Sequence, residues 1–313
     1  MQDGPQIFDT SLDGMAWETW LSALEKLTDD AGDTERLGTR HAAIRIDGKA
    51  TLLVTFETHE NIQAGPDGGR PFGWQMVKAL GWSQLCIAAE TDTWFRDRRV
   101  YGYFDRLVDD GFFDEFDQVI FYGVGPCGYA AAAFSVASPG AQVIVLKPQA
   151  TLDPRVAEWD DRYLHMRRTS FTDRYGYAPD MLDAAKQAYV LYDPENELEA
   201  MHAALFTRPN VIKFRLRYLS REMEPTMMRM NMPLRMIAQA SAGKLDRLAL
   251  ARLFRARRGD PGYQFALLQR VIADDRPKLT VALCENVLAQ RDSRPFRKAL
   301  LNARRRLGIE PDS

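Results

Sequence analysis

Six consecutive residues, Gly123-Val124-Gly125-Pro126-Cys127-Gly128, hold most of the chemistry this chain offers. They satisfy G-x-G-x-x-G, a spacing in which a tight turn brings backbone N–H groups against a pyrophosphate. They also contain Cys127, whose thiolate would be a nucleophile if its surroundings lowered its pKa. Alternatively, Cys127 is a small buried residue filling a tight turn. The dinucleotide use has two gaps. An acid should close the next strand to meet a ribose, but Gln142–Leu146 runs into Lys147-Pro148, with no acid before Asp153. The fingerprint also belongs on the first strand of its unit, whereas several strand-like runs precede this one.

Such a turn needs a strand before it and a helix after it. Val119–Tyr122 is a short β-branched and aromatic run with the character of a buried strand. Tyr129–Ala137 is alanine-rich and reads as a helix packed close to a sheet. Strand, tight glycine turn and helix place a site at the carboxyl edge of a parallel sheet.

The stretch F-Y-G-V-G-P-C-G-Y-A-A also resembles the nucleophile elbow of the α/β-hydrolases, F-Y-G-x-S-x-G-G-Y-A-A. On that pattern Gly123 is the first glycine, Gly125 takes the serine position, and Cys127 replaces the second glycine. Glycine has no side chain to attack a carbonyl. Pro126 follows the nucleophile position and has no N–H to give an oxyanion hole. A register shifted by two would make Cys127 the nucleophile and Gly128 the donor, with Tyr129 where the bend wants a very small residue. The resemblance implies further positions. Glu57 and His59 lie in the loop after an early strand, which contributes to the oxyanion site. Asp193, after the strand Ala188–Tyr192, is the candidate triad acid; it reads equally as a turn or helix-N-terminal aspartate. The slot of the catalytic histidine, beyond the last strand Val211–Leu216, holds Arg221, which stays protonated and could hold an anion but not act as a base. No histidine follows His202, which is not placed like a triad base.

In chain order, helical spacing joins Trp17, Leu21, Leu24 and Leu27. His41–Ile46 and Thr51–Phe56 read as strands joined by a hairpin at Asp47-Gly48. His59 reads as a solvated loop residue and His165 as a surface one. Gln84–Ala89 is another strand, and residues 100–110 form an amphipathic helix stopping at Gly111. The polar and aromatic stretch Glu158–Pro179 falls where hydrolases carry a lid. A methionine-rich helix, Glu222–Ala240, closes the larger domain.

Charge marks a boundary near Ser241-Ala242-Gly243. From residue 241 onward there are 16 Lys+Arg and 8 Asp+Glu, whereas the first 240 residues are acidic although the whole chain is only −2. In the tail, D-P-G-Y-Q-F-A-L-L from Asp260 is echoed 33 residues later by S-R-P-F-R-K-A-L-L from Ser293. That period resembles tetratricopeptide-type helical hairpins.

Three widely spaced cysteines, Cys86, Cys127 and Cys284, give neither a disulfide framework nor a zinc spacing and fit a reducing, cytoplasmic setting. The first residues lack the basic and apolar regions of a signal peptide, and no apolar run is long enough for a membrane. Basic residues are not interleaved with aromatics as nucleic-acid binding would want. The chain is also similar to sequences labelled phosphoadenosine phosphosulfate reductase. However, Cys284 stands in A-L-C-E-N rather than Glu-Cys-Gly, and the phosphate loop S-G-G-x-D-S is absent.

The expected fold is α/β-hydrolase-like, a mostly parallel sheet flanked by helices over residues 1–240, with a helical, tetratricopeptide-like extension over 241–313. The expected function is that of a catalytically degenerate protein. It would bind a small or anionic ligand around Glu57, Gly125, Pro126, Cys127, Gly128 and Arg221, and a protein partner through its basic tail. No metal, cofactor, nucleic acid or membrane enters that expectation. The alternative is a hydrolase or acyltransferase using Cys127 with Asp193.

Overall fold

A computed structural model describes residues 10–219 and 223–309. It divides into two compact units, one of residues 1–215 and 237–247, the other of 216–236 and 248–313. The first unit contains α1 (Trp17–Thr28), β1 (Gly32–Arg36), β2 (His41–Ile46), β3 (Lys49–Thr58), α2 (His59–Ala64), α3 (Trp74–Leu80), β4 (Trp82–Ala89) and α4 (Arg98–Asp109). Next come β5 (Gln118–Val124), α5 (Pro126–Phe134), β6 (Gln142–Leu146), α6 (Pro154–Ala157), α7 (Ala178–Met181), β7 (Gln187–Tyr192), α8 (Glu197–Leu205) and β8 (Val211–Arg215).

The eight strands form one sheet in the order β1-β2-β4-β3-β5-β6-β7-β8. β2 runs antiparallel to both its neighbours, and every pair from β4 to β8 is parallel. With helices flanking the sheet and a helical C-terminal region, this is the α/β-hydrolase-like architecture expected from the sequence.

The hairpin expected at Asp47-Gly48 does not form, because β4 lies between β2 and β3. Leu52 to Phe56 are buried without interruption, so β3 presents apolar side chains to both faces and takes a central place. Gly48 is needed for a close crossing instead. A Cβ there would stand 2.7 Å from the carbonyl oxygens of Gly81 and Trp82.

Two apolar layers sandwich the sheet. On one face Trp17, Trp20, Leu21 and Leu24 of α1 and Trp74 of α3 meet Ile44, Cys86 and Ala88. On the other, Phe56, Phe121, Phe104 and Phe134 join the alanines of α5. Ala130 to Ala133 are all fully buried, which explains the alanine run: α5 packs against β3, β5 and β6 and also against α7, leaving no room for larger side chains.

His41, at the start of β2, is enclosed, with Nε2 2.7 Å from Thr93 Oγ1 and Nδ1 4.0 Å from Asp97 Oδ2. Burial lowers its pKa to about 4, against a weaker pull from Asp97. The folded value lies below the unfolded one, so this stability is complete above pH ~6.5 and drains away as pH falls toward the folded value. The shift corresponds to about 3 kcal/mol. Urea midpoints between pH 7 and 4 should fall less steeply in His41→Gln than in the parent; parallel slopes would contradict the burial.

The second unit is helical: α9 (Met223–Arg229), the start of α10 (Met232–Ser241), most of α11 (Arg247–Phe254), then α12 (Pro261–Ala273), α13 (Pro277–Leu288) and α14 (Arg294–Leu307). Asp260 caps α12 through Oδ1, which accepts from Tyr263 N–H at 2.7 Å, and its carboxylate pairs with Arg229 at 2.9 Å. Leu268, Cys284, Val287 and Phe296 form a small core among the last three helices.

Candidate functional site

The chain turns from β5 into α5 at a single residue, Gly125, with φ 57° and ψ −126°. A residue with a side chain is strained in that conformation, and in a nucleophile elbow the strain is what exposes the attacking atom. Gly125 N–H donates to Leu146 O at 2.9 Å, and Gly125 O accepts from Tyr129 N–H at 2.9 Å. The bend is therefore pinned to β6 on one side and opens the helix on the other. The apex falls on Gly125 and not on Cys127, which lies in the first turn of α5 and is 4% exposed. Pro126 is the first residue of the helix.

Two other glycines make this corner possible. A Cβ on Gly123 would stand 2.2 Å from Cys127 O, and one on Gly128 would stand 3.2 Å from Gly123 O. The helix crosses directly over the end of its own strand.

Among the described residues, and apart from its chain neighbours Val124 and Pro126, the one atom within 4 Å of a Cβ built on Gly125 is Lys147 Cε, at 3.9 Å. Lys147 follows β6 and holds a left-handed φ of 42°, unusual for a side-chain-bearing residue. Its N–H donates to Leu191 O at 2.6 Å, which ties the bend to β7. Sequence reasoning met Lys147 only as the residue standing where a ribose-binding acid was missing.

At the end of β3, Glu57 is held by a chain of polar groups. Thr55 Oγ1–H donates to Oε1 at 2.6 Å, and Phe72 N–H reaches Oε2 at 3.0 Å and Oε1 at 3.2 Å. Gln84 Nε2–H donates in turn to Thr55 Oγ1 at 3.3 Å, and Cys86 Sγ lies 3.5 Å from Oε1. Burial raises the Glu57 pKa, and the hydrogen bonds from Thr55 and Phe72 only partly oppose it. Burial, then the neighbouring Glu57, pushes the Cys86 thiol well above its ordinary value. Thr55, Phe72 and Gln84 were not singled out in the sequence; the alternation of β3 and β4 could have indicated the first and last.

Asp193 follows β7 and is fully buried. Its Oδ1 accepts from Glu195 N–H at 3.0 Å, as in an Asx turn, and its own N–H donates to Glu199 Oε2 at 3.0 Å. Burial raises the Glu199 pKa, opposed by the Asp193 N–H and by Lys147. Lys147, Asp193 and Glu199 thus share one electrostatic neighbourhood at the carboxyl edge of β6 and β7. Arg221 lies outside the described residues.

Two of the four histidines, His41 and His202, are held by hydrogen bonds. His202 Nδ1 accepts from Ala150 N–H at 3.2 Å, which leaves the proton on Nε2 to be donated to Asp160 Oδ2 at 2.8 Å. His41 is bonded to Thr93. His59 is no solvated loop residue: it opens α2, and its ring meets those of Trp17 and Trp20 edge-on, at 5.6 and 5.2 Å. His165 is exposed. Cys284 is fully buried in α13, where burial raises its thiol to about 11, the opposite of what a reactive cysteine needs. Among the described residues no cluster of His, Cys, Asp or Glu could hold a metal ion, and no helix is long and apolar enough to cross a membrane.

No family model matches this chain, and no curated protein matches it. Solved structures share part of the fold at low identity. Carboxyl esterase 2 from Tuber melanosporum is 11% identical, with a TM-score of 0.37 over 59% of this chain and 73% of the esterase. A hormone-sensitive lipase from a metagenome library is 16% identical, with a TM-score of 0.40 over 68% of this chain and 84% of the lipase. Est1E from Butyrivibrio proteoclasticus is 11% identical, with a TM-score of 0.35 over 58% and 87%. Likenesses at this level bear on no reaction and no ligand of this chain.

Proposed function

We propose that this chain is a catalytically degenerate α/β-hydrolase-like protein that binds a small or anionic ligand at the carboxyl edge of its sheet. The observation that carries the reading is Gly125: the apex residue has the elbow's backbone conformation and no attacking atom. Pro126 removes the N–H that would follow a nucleophile. His41 and His202 are held by partners of their own, so acyl transfer at the apex would lack the attacking atom and the following N–H together, with neither of these two imidazoles free to act as base. What remains is an opening over Gly125 with the aliphatic end of Lys147 at its side. Lys147 supplies the positive charge for a carboxylate or phosphate group of the ligand, and Glu57, whose pKa burial raises, lies at the end of the central strand β3.

Esterase and thioesterase assays on p-nitrophenyl acetate and acetyl-coenzyme A test it. The parent protein and Cys127→Ala should give the same background rate. A rate at least a hundredfold above background in the parent, lost in Cys127→Ala, would overturn it. That outcome would favour a hydrolase or acyltransferase using Cys127, for which the residue's place in the first turn of α5 speaks, since a helix N-terminus lowers a thiol pKa. Iodoacetamide labelling across pH separates the two by its midpoint: near or above 8.5 for an inert thiol, well below it for a nucleophile.

A further inference from the structure

We propose that the groove formed by α12, α13 and α14 docks an acidic amphipathic helix of a partner protein. Ten large apolar side chains are exposed among the described residues, and six of them belong to the smaller, helical unit: Leu248, Phe265, Ile272, Leu279, Leu301 and Ile309. Between the three helices lies a groove of about 490 Å³. Val271, Ala299 and Ala303 supply its apolar floor, and Ile272 and Pro277 one wall. Ile272 is 45% exposed, although it borders a concave surface where an apolar partner would cover it.

The lining also holds three cations, Arg276, Arg305 and Arg306. Arg306 is paired with Asp275 at 2.6 Å. Arg276 and Arg305 are exposed, and their side chains make no ion pair or hydrogen bond among the described residues. Among the described residues no carboxylate pairs with either of these two side chains, so the complementary partner carries carboxylates flanking its apolar stripe. An amphipathic helix has that distribution, with apolar side chains at i, i+3, i+4 and i+7 for the floor and acids beside them for the arginines. A nucleic acid fits less well. No residue lining the groove is aromatic, so bases would have nothing to stack on, and a phosphate strand would leave the apolar floor uncovered.

The probe is a fluorescein-labelled 20-residue synthetic helix with Leu on one face and Glu on the other, titrated with the full chain by fluorescence anisotropy. A Leu/Lys peptide and a single-stranded oligonucleotide of equal length are the comparisons. The Leu/Glu peptide should bind at least tenfold more tightly than the Leu/Lys peptide. The double variant Arg276→Glu/Arg305→Glu should weaken it at least tenfold, with a smaller salt dependence than the parent. Ile272→Glu should weaken it as well, through loss of the apolar wall. All three substitutions are at exposed positions, and circular dichroism checks that the helices persist. The proposal is overturned by no binding of the Leu/Glu peptide, by equal binding of the two peptides, or by Ile272→Glu leaving affinity unchanged. It is equally overturned by oligonucleotide binding that the arginine variant abolishes and Ile272→Glu does not touch.

Discussion

Gly123→Ala should lose about 4 kcal/mol or more of folding stability. The added Cβ would stand 2.2 Å from the carbonyl oxygen of Cys127, 2.6 Å from its carbonyl carbon and 2.9 Å from Gly128 N. All three are backbone atoms in the first turn of α5, so no side-chain rotation relieves the contact. Relief requires lifting the helix off its strand. That would disturb Ala130 to Phe134, all fully buried, and β5, which is paired on both edges. An extra methyl among movable side chains costs about 1–3 kcal/mol. A clash with backbone on a central strand should exceed that, at about 4 kcal/mol or more. The matched control is Gly140→Ala. Gly140 has φ +85° but nothing within 4 Å of its Cβ direction, so it should lose only about 1 kcal/mol to backbone strain. Urea unfolding followed by far-ultraviolet circular dichroism would rank the two. Equal midpoints would mean that the helix does not cross the strand as described.

The same glycines explain why this corner was legible in the sequence. Each answers a local backbone demand, a bend at Gly125 and a close crossing at Gly123 and Gly128, and such demands write themselves into consecutive residues. The alanine run of α5 was legible for a similar reason, since a helix buried on all sides tolerates little else. Asp47-Gly48 misled because turn chemistry is local while strand order is not. The dipeptide suits a two-residue hairpin, but the uninterrupted apolar run of β3 needed neighbours on both edges and drew β4 in between. Glu57 was located as a position after a strand. Its polar chain through Thr55 and Gln84 depends on the register of β3 with β4, which pairs Leu53 with Gln84 and Thr55 with Cys86 and which no single segment encodes. His202 and Asp160 are 42 residues apart and belong to segments with no shared pattern, so their pairing left no trace in the sequence.

That pairing carries the other large expected effect. Asp160→Ala should cost about 3–5 kcal/mol, the usual penalty for removing one member of a buried charged pair. The side chains of Asp160 and His202 are fully enclosed, and Arg162 closes the cluster at 2.7 Å. Burial works against the Asp160 charge, but the hydrogen bonds from Arg162 and His202 outweigh it and hold the carboxyl well below its usual range. Burial also lowers the His202 pKa, with Asp160 opposing. Both folded values lie below the unfolded ones, so both contributions are complete at neutral pH. The His202 share is lost as pH falls below ~6.5 and the Asp160 share below ~4. Asp160→Asn keeps an acceptor for the His202 N–H and the shape of the side chain, but it loses the charge and the Oδ1 acceptor of Arg162 N–H and Nε–H, so it should cost about 1–3 kcal/mol. Denaturation at pH 7 and pH 5 would separate the three proteins; an alanine variant within ~0.5 kcal/mol of the parent would rule the cluster out. The consequence reaches the corner itself. His202 Nδ1 holds Ala150 N–H, three residues beyond Lys147, so the same imidazole that needs Asp160 also fixes the loop whose first residue lies over Gly125. Amide exchange at Ala150 should therefore accelerate in Asp160→Ala even where the sheet stays protected, which would tie the strained lysine to the buried pair rather than to β6 alone.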